Sequence, residues 1–68
     1  MIEFLKPLKY KDVGWFVGAN TWEGAAYLHS DGEIRLSTRN LDTNEYTGYF
    51  LTEELAIQAI ENYNENTN

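Results

Sequence analysis

The chain holds one histidine, His29, and no cysteine. Metal ligation and nucleophilic catalysis both need several such groups brought together, and His29 has no sequence-local partner for either task. It reads as a strand histidine, satisfied locally or turned to solvent. Glu53 and Glu54 are adjacent carboxylates of the type used in general acid–base catalysis. They also follow Thr52 directly, and paired acids at a helix start interact favourably with the positive end of the helix dipole. Asn64-Glu65-Asn66 supplies oxygen atoms without the spacing of a calcium loop. The five glycines, Gly14, Gly18, Gly24, Gly32 and Gly48, stand singly and build no phosphate-cradling loop. The chain therefore reads as non-enzymatic, with no metal and no cofactor expected.

The remaining chemistry is that of surfaces. Aromatic and arginine side chains dominate binding hot spots, and they also stack on nucleic-acid bases. Arg35 and Arg39, with Tyr27 and Tyr49, are candidates for a binding face on a sheet; ordinary cross-strand pairing of Arg35 with its neighbours is the plainer account. Trp22 lies in the turn-rich run Asn20-Thr21-Trp22-Glu23-Gly24. A tryptophan there either folds back as a lid on a small core or contacts a partner. Lys6, Lys9 and Lys11 with Tyr10 form a small basic patch that reads as solvated surface.

Charge is distributed unevenly. Residues 1–41 carry five bases and five acids, whereas residues 42–68 carry six acids and no base, for a net charge of −6. Glu54, Glu61 and Glu65 give the C-terminal helix an acidic face. That face is either simple solvation or a surface aimed at a basic partner. The overall acidity opposes simple electrostatic binding to DNA, which needs clustered Lys and Arg.

These residues are positioned by a short list of elements. Pro7 blocks a helix through residues 1–12 and favours an N-terminal arm or edge strand, with Ile2, Phe4, Leu5 and Leu8 as its apolar residues. Val13 to Ala19 alternates, with Val13, Trp15 and Val17 on one face and Gly14, Phe16 and Gly18 on the other. Ala25 to His29 and Glu33 to Thr38 flank Ser30-Asp31-Gly32, a hairpin signal. A three-residue loop with a left-handed glycine pairs Leu28 with Ile34 and Ala26 with Leu36 facing inward. It sends Tyr27, His29, Glu33, Arg35, Ser37 and Arg39 to the other face. Asn40 to Asn44 is a further turn, and Glu45 to Leu51 reads as the last strand. Gly48 within it marks a bulge or a close approach of another element.

Thr52 is the N-cap candidate for a helix over 52–63. Leu55, Ala56, Ala59, Ile60 and Tyr63 share its apolar face, with Ile57 at the margin. Residues 64–68 read as a frayed polar tail. The expected fold class is α+β: one domain over 1–68, with a small antiparallel β-meander of three or four strands over 13–51 and one C-terminal helix packed on one face.

The run Tyr46-Thr47-Gly48-Tyr49-Phe50-Leu51-Thr52-Glu53-Glu54-Leu55-Ala56 resembles the last strand and helix start of two groups. One is the plant ethylene-responsive-factor DNA-binding domains; the other is the arm-type DNA-binding domains of phage integrases. The resemblance implies a three-stranded sheet that enters the major groove, with Arg35 and Arg39 on its third strand as readers. It is a resemblance of architecture. The short, acidic, aromatic- and Asn-rich composition is also similar to that of small bacteriophage accessory proteins, which commonly bind and inhibit one host factor.

The sequence is thus read first as a protein-binding module of the cytoplasm, a small phage-type inhibitor of a host nucleic-acid-handling or defence (CRISPR or nuclease) system. Its acidic, partly DNA-mimicking face (Glu54, Glu61, Glu65) would meet a host protein with a basic surface, and Trp22 and Tyr49 would anchor the contact. The alternative is a nucleic-acid binder using the open sheet face through Tyr27, Arg35 and Arg39. A homo-oligomer is a further expectation, since a 68-residue chain builds only a thin core. No membrane partner is expected, because the N-terminus lacks a secretory pattern and the apolar runs are short.

Overall fold

A computed structural model describes residues 2–67. The class is α+β: an antiparallel sheet with a single C-terminal helix. The strands of the main sheet are β1 (Glu3–Phe4), β2 (Leu8–Tyr10), β3 (Gly14–Thr21), β4 (Gly24–Leu28) and β5 (Ile34–Arg35). β6 (Arg39–Asn40) and β7 (Glu45–Tyr46) form a separate two-stranded ribbon, and α1 spans Glu53–Thr67.

β3 is the axis of the sheet. The N-terminal segment is an edge strand in two pieces, β1 pairing Phe4 with Ala19 and β2 pairing Leu8 with Phe16. The break falls at Lys6-Pro7, where proline has no N–H for the ladder. On the other side, β4 pairs with β3 from Val17↔Leu28 to Thr21↔Gly24. Where β4 leaves, Phe50 takes its place: Trp15 and Phe50 exchange two backbone hydrogen bonds of 2.8 and 2.9 Å.

The β4–β5 hairpin has the expected register, with Leu28 opposite Ile34. His29 N–H donates to the Glu33 carbonyl and Gly32 N–H to the His29 carbonyl, both at 2.9 Å, so Ser30-Asp31-Gly32 is the loop. Gly32 has φ +90°, which glycine adopts without a Cβ penalty. Beyond Arg35 the expectation fails. β5 stops there, no Ala26–Leu36 pair forms, and Leu36 is exposed.

The expected strand over 45–51 is likewise divided. Its first residues pair with β6 around the turn at Asn40 to Asn44, and only Phe50 returns to the main sheet. The cause lies at Gly48, which has φ +79° and sits against the His29 ring.

Val17, Leu28, Phe50 and Ala56 form the core, with Phe4, Trp15, Ile34, Ala59, Ile60 and Tyr63 packed around it. These residues are the odd positions of β3 and their pairing partners, closed over by one face of α1. Ala56 is fully buried, and its small side chain lets the helix approach the sheet. Leu55, expected on that face, is half-exposed at its margin because the face centres on Ala56, Ala59, Ile60 and Tyr63. Thr52 caps the helix as expected, its Oγ1 accepting Leu55 N–H at 3.2 Å. The expected fraying at 64–68 is not seen in 64–67, which continue the helix; Asn68 lies outside the described residues. No Gly or Pro interrupts the tail, and extending an existing helix costs far less than nucleating one.

Candidate interaction surfaces

Three surfaces gather the residues singled out above. The first is the turn between β3 and β4. Thr21 pairs with Gly24, so Trp22 and Glu23 form a two-residue tip, braced by the Thr21 hydroxyl donating to the Gly24 carbonyl at 2.6 Å. Trp22 is 93% exposed. The lid reading is therefore corrected: the tight register of the hairpin carries Trp22 past the end of the sheet, away from the core.

The second surface is the outer face of α1. Glu54, Glu61 and Glu65 are all exposed. They recur at i, i+7 and i+11, within about 40° of one another at 100° per residue, and they span about 16 Å of helix axis. The last turn of α1 carries no base. Late in α1, Tyr63 and Asn66 line a hollow with Leu28, Ser30 and Gly32, at the end of β4 away from the Trp22 turn. Tyr63 meets Phe4 edge-on at 5.1 Å, and Phe4 pairs with Ala19, two residues before Thr21. Tyr49 is not beside Trp22. It is half-buried, against the backbone of Gly14 and edge-on to Phe16 at 6.4 Å, so packing holds most of its surface.

The third surface is the sheet face turned away from the helix. Tyr27 and Arg35 are direct cross-strand partners on it. Arg39 is not a third-strand neighbour of Arg35, since β5 ends at Arg35 and Arg39 begins the ribbon. The two arginines instead line one cleft of about 390 Å³, together with His29, Ser37 and Gly48. Arg35 forms a two-pronged pair with Asp31, at 2.8 and 3.2 Å. Hydrogen bonding by Arg35, then by Glu33 N–H, holds the Asp31 carboxyl down at about 2, and the same contact raises Arg35. Arg39 lies over the Tyr46 ring at 5.0 Å and donates to its hydroxyl at 3.0 Å. The Tyr10 hydroxyl, 2.9 Å away, and Arg39 together lower the Tyr46 phenol.

His29, expected on this open face, is buried at 4% exposure. Its Nε2–H donates to the Ser37 carbonyl at 2.7 Å, so the ring is satisfied inside the fold. Among the described residues, no group of three or more His, Asp or Glu side chains is placed to hold a metal ion. Among the described residues, no helix is long and apolar enough to cross a membrane.

Sequence reasoning did not gather Tyr10, Phe16 and Tyr46 into one cluster. Their rings stand 4.9 to 6.0 Å apart. The available signal was Phe16, which alternation places opposite Trp15 and Val17. Comparison with protein-family models, curated proteins and solved structures found no match for the chain.

Proposed function

We propose that the chain is a non-enzymatic protein-binding module whose partner presents a basic surface. The observation that carries this reading is Trp22, 93% exposed on a two-residue turn. An aromatic side chain of this size forgoes on the order of 4 kcal/mol when left in water. Tryptophan is among the commonest binding hot spots. The turn beneath it is pinned by the β3–β4 ladder, so little backbone freedom is lost when Trp22 enters a pocket.

The acidic stripe on α1 complements that anchor. Exposed charges of one sign steer encounter with an oppositely charged surface more than they add affinity. Basic surfaces are characteristic of proteins that handle nucleic acids. The reading therefore extends to a small inhibitor of the phage type, acting in the cytoplasm on a host nucleic-acid-handling or defence protein. Duplex DNA carries one charge per about 1.7 Å of axis, far denser than three carboxylates over about 16 Å. The stripe is a partial mimic, and Trp22 supplies the hold.

The test is a tagged pull-down from bacterial lysate, with and without nuclease. A protein partner that survives nuclease, is lost with Trp22→Ala and is weakened by Glu54→Lys with Glu61→Lys supports the reading. A partner retained equally by all variants, or one lost on nuclease treatment, overturns it.

A further inference from the structure

We infer that the sheet face turned away from α1 binds single-stranded nucleic acid. This rests on a different surface from Trp22 and the acidic stripe, and it stands or falls separately.

The face is an aromatic strip. Phe16 lies at its centre, 5.6 Å from Tyr10, 6.0 Å from Tyr46 and 6.4 Å from Tyr49. Tyr27 continues the strip, its ring lying over Gly18 with about 3.6 Å to where a Cβ would be. All five rings are half-buried, so each keeps part of its surface in water. The β6–β7 ribbon packs on this strip through Tyr46, beside both Tyr10 and Phe16, and leaves Tyr27 clear of it; α1 lies on the opposite side of the sheet.

Cations surround it. Lys11 sits 5.4 Å from the Tyr10 ring and Arg39 5.0 Å from the Tyr46 ring. Arg35 is directly across from Tyr27, and Lys6 lines a hollow with Tyr27 and Phe16. Four of the five bases in the chain are thus at this face. The acids of the helix lie on the other side of the molecule. Two acids enter the strip's surroundings: Asp31, which engages Arg35, and Glu33, whose charge also reaches Arg35.

Interleaved π-faces and cations are the chemistry of single-strand binding: bases stack on rings while phosphates meet the positive groups. The local charge selects an anionic occupant despite the net charge of −6. Flat, half-exposed rings select unpaired bases, since a duplex presents no base face to stack on.

The experiment is fluorescence anisotropy of a short labelled thymidine oligomer, titrated with the intact chain at several low salt concentrations. Four phosphate contacts predict a slope of log K against log salt of about −3. Arg35→Gln with Arg39→Gln should flatten that slope by about 1.4. Tyr27→Ala should weaken binding about fivefold or more at an unchanged slope. Both arginines are exposed, so the double variant folds and keeps the test decisive if Tyr27→Ala does not. Failure of the wild type to bind at the lowest salt overturns the inference. So does equal binding by wild type and double variant, equal competition by a duplex of the same length, or sedimentation showing a second copy of the chain bound on this face.

Discussion

The imidazole of His29 occupies the space that a Cβ at position 48 would need. Gly48 also has φ +79°, and its carbonyl accepts Ser30 N–H at 3.1 Å. One contact therefore explains two features: a buried histidine on a hairpin, and a last strand divided into a ribbon and a single bridge.

Gly48→Ala should accordingly be severe. The left-handed backbone costs about 1–2 kcal/mol for a residue with a Cβ, and displacing the ring adds an overpacking cost of about 1–3 kcal/mol. Gly32 has φ +90° with nothing within 4 Å of its would-be Cβ, so Gly32→Ala carries only the backbone cost. Urea denaturation of the two variants should show the Gly48 midpoint well below that of Gly32. Equal midpoints would mean that the ring contact carries no weight.

Ala56 is the point where helix and sheet come closest. It is fully buried beside Val17, Leu28 and Phe50. Ala56→Leu should destabilise by about 1–3 kcal/mol through overpacking, despite the good helix propensity of leucine. Gln58→Leu, at an exposed position of the same helix, should stay within about 0.5 kcal/mol. Thermal unfolding followed by circular dichroism distinguishes these outcomes.

The Asp31–Arg35 pair sets an acid response of the β4–β5 hairpin. The folded Asp31 carboxyl titrates at about 2, below the unfolded value of about 3.9. The stabilisation is therefore complete above about pH 4 and lost as pH falls through about 2. Both groups are exposed, so the effect is modest and shrinks with salt. NMR titration of the Asp31 side chain should show the low midpoint, and Arg35→Gln should move it up toward the ordinary range. An unchanged midpoint in that variant would leave the backbone N–H of Glu33 as the cause.

Local features were legible in the sequence because they depend on neighbours along the chain. Alternation placed Trp15 and Val17 opposite Phe16, and Ser30-Asp31-Gly32 fixed the register of Leu28 with Ile34. Thr52 was readable as a cap from its position before two acids and an apolar period. Features made by distant segments were not legible. The division of residues 45–51 depends on His29, and the aromatic strip depends on β2, β3 and β7 meeting. The exposure of Trp22 depended on whether its turn held two residues or more, which composition alone left open.

Trp22 remains the centre of the account, and titration calorimetry of the captured partner against Trp22→Ala tests it most directly. Trp22 is almost wholly exposed, so the variant should keep wild-type stability within about 0.5 kcal/mol while its affinity falls about thirtyfold or more, the mark of a hot spot. Unchanged affinity in a fully folded Trp22→Ala would contradict the account.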